Sequence, residues 1–256
     1  MRVVLYALTL GAFGITARAI AGEPPTIGVL LVFFTTYFAT ILAGVFVLRL
    51  RMFVDVVVRG PRGAKGVVLT FDDGPDPAST MRTLDLLDAA NAKATFFVIG
   101  EKAEKHPEVV KAIVARGHEV GLHSYAHDRL FALRGPSRWR DDLERGARVL
   151  ADLTGTRVRL FRPPIGHTVP HTERIVRELR MRVIGWDVSA RDGIRANTDA
   201  VYRRVIKNAR DGSIVLLHDA SERGTHEPAG VAALESILAG LRAKGLAVVP
   251  LSEWLG

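Results

Sequence analysis

The sequence contains no cysteine in its 256 residues. Disulfide bonds and thiolate metal sites are therefore excluded, and any metal ion must be held by histidine, aspartate or glutamate. Without cysteines, the sequence also does not indicate whether the protein resides in an oxidising or a reducing compartment.

Aromatic residues are scarce, at 7% of the chain, and no nucleic-acid motif with interleaved aromatics is present. Lysine and arginine give a formal net charge of +8, but these residues are spread along the chain. We therefore interpret the positive charge as a solvated surface and predict no nucleic-acid partner. No protein partner is implied either. A hydrophobic content of 48% is enough for a folded core.

Charge is missing from residues 27–48, an apolar run of 22 positions. A helix of this length can span a bilayer at about 1.5 Å per residue. An earlier apolar run, residues 3–15, fits either a secretory signal cleaved near 19–21 or a first span. We favour a helical hairpin with its turn at 22–25. Residues 1–50 would then be a membrane anchor of two helices that contact the lipid bilayer.

Basic residues follow the second apolar run in excess over the short loop that precedes it. By the positive-inside rule, this excess puts the remainder of the chain on the cytoplasmic side of the cell membrane. Residues 51–65 are then expected to form a basic juxtamembrane linker. The basic residues concerned are Arg49, Arg51, Arg59, Arg62 and Lys65.

From residue 66 to residue 256, short apolar runs alternate with amphipathic segments. The alternation predicts an α/β domain with a parallel sheet, either a barrel or an open doubly wound sheet. Helices are predicted at 80–91, 107–116 and 139–153. Seven strands are predicted, at residues 67–70, 94–99, 119–123, 159–162, 182–186, 213–218 and 246–250.

Two adjacent carboxylates, Asp72 and Asp73, follow the first of these strands. Successive side chains of an extended chain point in opposite directions, so one carboxylate could bind a metal ion while the other handles protons. The turn at Gly74-Pro75 would hold the pair at the mouth of the strand.

Two histidines lie at the end of the third predicted strand: His123 is its last residue, and His127 follows four residues later. If the chain turns helically there, both imidazoles face the same way and can grip one cation. With Asp73 they make a set of two imidazoles and one carboxylate, which leaves coordination positions open for water and substrate. That composition is typical of a catalytic metal site rather than a closed structural one.

Further polar residues lie at or just beyond the ends of later strands: Arg162 after the fourth, Asp192 after the fifth and His218 at the end of the sixth. An arginine can hold a neighbouring carboxylate in its charged form and in one orientation. In barrels, the loops at the carboxyl ends of the strands assemble active sites. We therefore predict one site that contains all of these residues.

At these positions the chain resembles the polysaccharide deacetylase family, the group with NodB homology, over residues 66–256. The family's motifs are matched in order by residues 70–74, by His123 and His127, by Arg162, Pro164 and Gly166, by Asp192, and by Leu216 with His218. The resemblance implies a distorted (β/α) barrel of seven strands.

The resemblance also implies a role for each matched residue. Asp72 would be the general base and His218 the general acid, with Arg162 positioning the base and Asp192 tuning the acid. The metal ligands would be Asp73, His123 and His127. The substrate would contact Pro164, Ile165, Gly166 and Leu216, and a backbone N–H of this loop would stabilise the oxyanion.

Three positions depart from the family pattern. Ile165 stands where members commonly have tyrosine, Gly193 where they have tryptophan, and Ser189 where they have aspartate. An aromatic wall of the substrate groove is therefore expected to be missing. This departure argues against a groove built for the usual chitin or peptidoglycan substrates.

The predicted activity is metal-dependent removal of an N-acyl group, in particular N-acetyl, from an amino sugar of a polysaccharide or a lipid-linked glycan. The partner is thus an N-acylated glycan. The expected ion is Zn²⁺, while Co²⁺, Fe²⁺ and Mn²⁺ are also compatible with the ligands.

Two alternatives stay open at this point. One is a membrane-anchored glycan-binding protein that keeps the site without turnover. The other is a metal phosphoesterase, which would be expected to have more carboxylate ligands or a second metal site. The side of the membrane is open as well, because similar deacetylases usually act outside the cell whereas the charge rule favours the cytoplasm.

Overall fold

Eight short strands form one parallel sheet in the computed structural model, which describes residues 1–193, 197–222, 224 and 226–255. The order across the sheet is β1-β6-β5-β4-β3-β2-β8-β7. The strands are β1 (Val56–Val57), β2 (Val67–Asp72), β3 (Thr95–Val98), β4 (Glu119–Leu122), β5 (Leu160–Phe161), β6 (Arg182–Ile184), β7 (Val188–Ser189) and β8 (Ser213–His218).

Helices connect most of the strands, because parallel strands need a long crossover connection, which is usually a helix. Predicted and observed bounds of three helices agree to within three residues. The described helices are α1 (Arg2–Ile20), α2 (Ile27–Phe46), α3 (Ser79–Ala89), α4 (Gly100–Lys105), α5 (Pro107–Ala115), α6 (Pro136–Thr154), α7 (Thr172–Glu178), α8 (Thr198–Asn208), α9 (Ala229–Ala243) and α10 (Ser252–Leu255).

Strands β2 and β8, at six residues each, are the longest of the sheet. Every residue of β2 is buried, because the strand is covered on both faces as parallel strands usually are. The two strands pair in register from Val67 opposite Ser213 to Asp72 opposite His218. This register brings an aspartate and a histidine side by side at the carboxyl end.

The sheet is an incomplete barrel whose two edge strands are β1 and β7. The chain passes from β6, beside β1, directly to β7, beside β8, so residues 185–187 cross the gap. Arg59 makes an isolated bridge to Ser213, and the Gly60 N–H donates to the Gly212 carbonyl at 2.9 Å. The gap in the barrel is therefore narrowed by a few isolated backbone contacts, and no continuous ladder of hydrogen bonds between strands closes it.

The predicted seventh strand at 246–250 is wrong, while two strands not predicted, β1 and β7, bring the number to eight. Within 246–250, Val248 makes a single bridge to Val67. The pairing between this segment and β2 does not extend before Val67, because the chain turns at Gly66, whose φ is +77°. The backbones also approach closely there, since a Cβ at position 66 would lie 2.6 Å from the Ala247 carbonyl oxygen. Sequence patterns could not predict β1 or β7, because two residues carry no periodicity.

Helices α1 and α2 form an antiparallel hairpin, as predicted. The hydroxyl groups of Thr9 and Tyr37 are 3.2 Å apart across it, and Phe33 packs over Gly11. Both helices are long and apolar enough to cross a membrane, and their surfaces are almost entirely exposed. The segment 51–65, predicted as a linker, contributes β1 and the buried residues Phe53 and Val54.

Candidate active site

The polar residues predicted from strand ends converge at one edge of the sheet. Asp72 ends β2 and His218 ends β8, while His123 and Arg162 directly follow β4 and β5. These strands lie within the run β5-β4-β3-β2-β8, so their carboxyl ends are neighbours. The site therefore occupies the face on which barrels assemble active sites.

Asp73, His123 and His127 form a buried cluster that could hold a metal ion. The Asp73 Oδ1 lies 3.5 Å from the His123 Nε2 and 3.3 Å from the His127 Nε2. All three potential ligand atoms lie within 4.8 Å of one another. The cluster presents one carboxylate oxygen and two imidazole nitrogens to a common point.

The histidine pair is built on a loop, which corrects the expectation of a helical turn. Ser124 and His127 have positive φ, at 63° and 47°, and the His127 N–H donates to the Ser124 Oγ at 2.9 Å. The Asp142 carboxylate accepts from the backbone N–H groups of Tyr125 and Ala126. These bonds hold a left-handed backbone that side chains other than glycine rarely adopt.

Burial sets the charge of the cluster. It lowers the pKa of His123 to about 3 and lowers the pKa of His127, so both rings are neutral near pH 7. The His123 Nδ1 lies 2.8 Å from the Arg162 carbonyl oxygen, which leaves the Nε2 lone pair for a cation. Burial also raises the pKa of Asp73 to about 7.

The cluster fits a divalent ion on the chemistry of its donors. Neutral imidazole nitrogens and a carboxylate are the ligands that Zn²⁺ takes in proteins, and three of them leave an open position. A cation would also favour the charged form of Asp73, which burial alone disfavours.

Asp72 is held by Arg162, whose guanidinium is completely buried. The Arg162 Nη1 donates to the Asp72 Oδ1 at 2.7 Å and to the Thr70 Oγ1 at 2.8 Å. Its Nε and Nη2 donate to the carbonyls of Ile184 and Gly185. A buried charge must be paired and hydrogen-bonded in this way. One oxygen of Asp72 is thereby fixed, and the other lies 3.8 Å from the His123 Nε2.

His218 is paired with Asp192 beside the cluster. The His218 Nδ1 lies 2.9 Å from the Asp192 Oδ1, and the His218 backbone N–H donates to the Asp192 Oδ2 at 2.9 Å. Burial lowers the pKa of His218, but the hydrogen bond and negative charge of Asp192 outweigh it and raise that pKa to about 9. The His218 Nε2 points toward the centre, 4.0 Å from the Asp73 Oδ2.

The loop after β5 forms one wall of the site. Ile165 has a φ of 57° and is half exposed, while Pro164 and Gly166 are buried. Gly166 packs against Trp186, because a Cβ there would lie 2.7 Å from the indole ring. Leu216 lies two residues before His218 in β8 and so faces the same side of the sheet.

The other two departures also adjoin the site. A Cβ at Gly193 would lie 3.0 Å from the His218 ring, so the glycine keeps the ring's surroundings open. Ser189 lies in β7, paired with Leu216.

Four supporting residues could not be identified from the sequence. The Glu222 Oε1 lies 3.5 Å from the His127 Nδ1, and Arg129 binds that carboxylate through two nitrogens. The Lys102 Nζ donates to the carbonyls of Asp73 and Ser221 at 2.7 Å each. Gly230 leaves the space that the Asp192 carboxylate occupies, because a Cβ at position 230 would lie 1.9 Å from the Asp192 Oδ2. None of them stands in a pattern that marks a site, so their proximity arises only from the tertiary structure.

Comparison with known proteins finds a matching family model and several similar proteins that are named as deacetylases. A family model described as polysaccharide deacetylase matches residues 59–184. A peptidoglycan-N-acetylglucosamine deacetylase of Bacillus cereus is 36% identical over 192 residues, which cover 75% of this chain and 69% of the relative. A chitooligosaccharide deacetylase of Sinorhizobium fredii is 33% identical over 208 residues, which cover 78% of this chain and 97% of the relative.

A crystal structure of a peptidoglycan N-acetylglucosamine deacetylase superposes with a TM-score of 0.73. It is 35% identical, and the match covers 78% of this chain and 92% of that chain. Sequence and fold thus agree over nearly the full length of two of these three relatives. The chain therefore belongs to the polysaccharide deacetylase family.

Proposed function

We propose that the protein hydrolyses the N-acetyl group of an amino sugar in a glycan, with a divalent ion held by Asp73, His123 and His127. The observation that carries this proposal is that two hydrogen-bonded pairs, Asp72 with Arg162 and His218 with Asp192, both adjoin the ligand cluster. Such an arrangement supplies a proton acceptor and a proton donor to one reacting centre.

In this proposal Asp72 takes the first proton. Arg162 binds the Asp72 Oδ1, so that the Oδ2 faces the cluster and can accept a proton from the attacking water. The ion, Zn²⁺ by default with Co²⁺, Fe²⁺ and Mn²⁺ as alternatives, would polarise the acyl carbonyl and acidify water when bound. The water oxygen becomes part of the released acetate.

His218 delivers the second proton. Its Nδ1 is engaged by Asp192, so the Nε2 can donate to the sugar nitrogen as the carbon–nitrogen bond breaks. The products are acetate and a free amino sugar. Asp192 would keep the ring protonated near neutral pH by supplying an opposite charge.

The substrate would lie along the loop 164–166 and over Leu216. Ile165 presents an exposed aliphatic side chain there, and Gly193 leaves space beside His218. A site with these residues offers no aromatic ring for sugar stacking at those two positions. We infer that it recognises the N-acyl sugar chiefly through polar groups and shape.

Acetate release as a function of pH tests the proposal. The purified, metal-supplied protein is expected to release acetate from an N-acetylated oligosaccharide or lipid-linked sugar, with activity falling as pH rises through about 9 and His218 loses its proton. In Asp192→Asn the opposite charge is gone, so the alkaline fall is expected about one to three pH units lower.

Two results would contradict this account. A protein that binds such sugars but releases no acetate from any of them would be a glycan-binding protein rather than a hydrolase. An alkaline limb unchanged in Asp192→Asn would remove His218 from the role of acid.

We further propose that α1 and α2 anchor the protein in the cell membrane as two spans. Their length suits a hydrocarbon layer of about 30 Å, and their surfaces are apolar and exposed. The basic residues that follow α2 favour a catalytic domain on the cytoplasmic side.

Labelling of Ser252→Cys in intact cells tests this orientation. Ser252 is exposed at the start of α10, where its N–H donates to Glu119 at the opposite end of β4 from the site, and the chain has no native cysteine. A membrane-impermeant thiol reagent is expected to label the variant only after permeabilisation. Labelling of unpermeabilised cells would place the domain outside.

A further inference from the structure

The end of helix α2 is docked on the loop that carries the substrate site. The Thr168 N–H donates to the Val45 carbonyl at 3.2 Å, and the Thr168 Oγ1 donates to the Gly44 carbonyl at 3.4 Å. The Phe46 ring meets the His167 ring edge-on at 4.8 Å. These partners directly follow Ile165 and Gly166, so the last turn of α2 and the wall of the site are one packed unit.

The residues after α2 also contact the segment between β6 and β7. The Arg49 guanidinium donates to the carbonyls of Trp186 and Asp187. Leu48 is buried against Gly185, whose carbonyl accepts from the Arg162 guanidinium. The helix is thus attached beside the residues that hold Arg162, without a free tether.

Close packing makes this attachment rigid. Gly44 lies so near Met52 and Phe53 that a Cβ would be 2.2 Å from the Met52 sulfur. At the start of α1, the Arg2 Nε donates to the Met52 carbonyl at 3.2 Å, and its Nη2 donates to the Glu173 carboxylate at 2.8 Å. Both helix ends on this side are therefore fixed to the domain.

Exposed apolar residues occur in the two loops that follow the neighbouring strands β4 and β5, and we call these loops the apolar face. Leu130 and Leu133 are 55% and 79% exposed in the loop that leads from His127 to α6, and Ile165 is 51% exposed in the next loop. Among the described residues beyond α2, the other large apolar side chains with comparable exposure are Val47 and Val114. Apolar side chains beside a span are typical of residues that enter the lipid interface.

We propose that the substrate is an N-acetylated amino sugar carried on a membrane lipid, whose apolar chain stays in the bilayer beside α2 while the sugar enters the site. This inference rests on the proposed deacetylation and on the two spans. If α2 crosses the bilayer, its last turn lies at the membrane surface, and Thr168, two residues after the loop 164–166, is hydrogen-bonded to that turn. A sugar attached directly to a lipid is held at that same depth.

Confinement of enzyme and substrate to one surface gives a measurable advantage. A ligand held at the site by a second attachment gains about a hundredfold or more in effective affinity without any new contact at the sugar. The long-chain substrate is therefore expected to exceed a water-soluble analogue by a factor of that order in kcat/KM.

The test uses the full-length protein in phosphatidylcholine vesicles. Two probes carry the same N-acetylglucosamine, one on a long alkyl chain and one on a methyl group. The long-chain probe is expected to be hydrolysed about a hundredfold more efficiently, and only when it shares a vesicle with the protein. Equal kcat/KM for the two probes, or equal rates when the probe is in separate vesicles, would overturn the lipid-linked assignment. Acetate from neither probe would instead overturn the proposed deacetylation.

A surface variant sharpens the result. Leu133→Ser is expected to lower turnover of the long-chain probe several-fold and to leave the methyl probe unchanged, because Leu133 is exposed and lies outside the catalytic groups. Val114→Ser, an exposed apolar position on α5 away from this face, is the matched control and is expected to alter neither. An equal effect of the two substitutions on the long-chain probe would contradict the assignment of this face to the membrane.

Discussion

Asp72→Asn is expected to lower kcat by about a hundredfold to ten-thousandfold while leaving metal content unchanged. The amide keeps the shape of the side chain. Its oxygen can still accept from the Arg162 Nη1, which in the wild type donates to the Asp72 Oδ1 at 2.7 Å. It cannot accept the proton of the attacking water. Steady-state acetate release and metal analysis of the same purified sample measure both quantities.

Asp85→Asn is the matched control for this substitution. Asp85 lies on α3 with its side chain largely exposed, where it pairs with Arg116 away from the site. The control is expected to keep wild-type kcat. If Asp72→Asn stayed within a few-fold of the wild type, Asp72 would not be the base.

His127→Ala is expected to abolish both bound metal and acetate release. Among the described residues, the potential ligands that converge at the cluster are three in number, so the loss of one would leave too few for tight binding of a divalent ion. Asp73→Ala and His123→Ala are expected to behave in the same way. Metal content of the purified variants by mass spectrometry measures the effect, and chelation of the wild type should reproduce the loss of activity.

His106→Ala controls for the removal of an imidazole as such. His106 is partly exposed before α5, where it lies 3.6 Å from Glu108 and outside the cluster. It is expected to retain metal and activity. Full metal occupancy in any of the three cluster variants would refute the ligand assignment.

The position of the site could be predicted from the sequence because strand ends are local features. Asp72 and Asp73 follow an apolar run, and His218 ends another, so parallel strands alone bring them to one edge. The two N-terminal helices were predictable for a similar reason, since long uncharged runs identify such helices without any tertiary information.

Other elements of the fold were not predictable at this level. The strands β1 and β7 are two residues long, and the loop from His123 to His127 takes its left-handed backbone from bonds to Ser124 and Asp142. The four-residue spacing of the two histidines favoured a helical turn, but that prediction was wrong because the backbone adopts a left-handed conformation at Ser124 and His127. Both imidazoles nevertheless lie next to the Asp73 carboxylate, because these hydrogen bonds hold the loop in place.

The residue pattern alone was enough to predict a ligand set of one carboxylate and two imidazoles, an acid and a base at strand ends, and two apolar helices before them. How these parts are brought together depends on the packing of the fold. The contacts of Glu222 with His127, of Lys102 with the Asp73 carbonyl and of Thr168 with the end of α2 join residues far apart in the chain. Such contacts depend on the packing of several elements at once, and no local pattern of residue types records that packing.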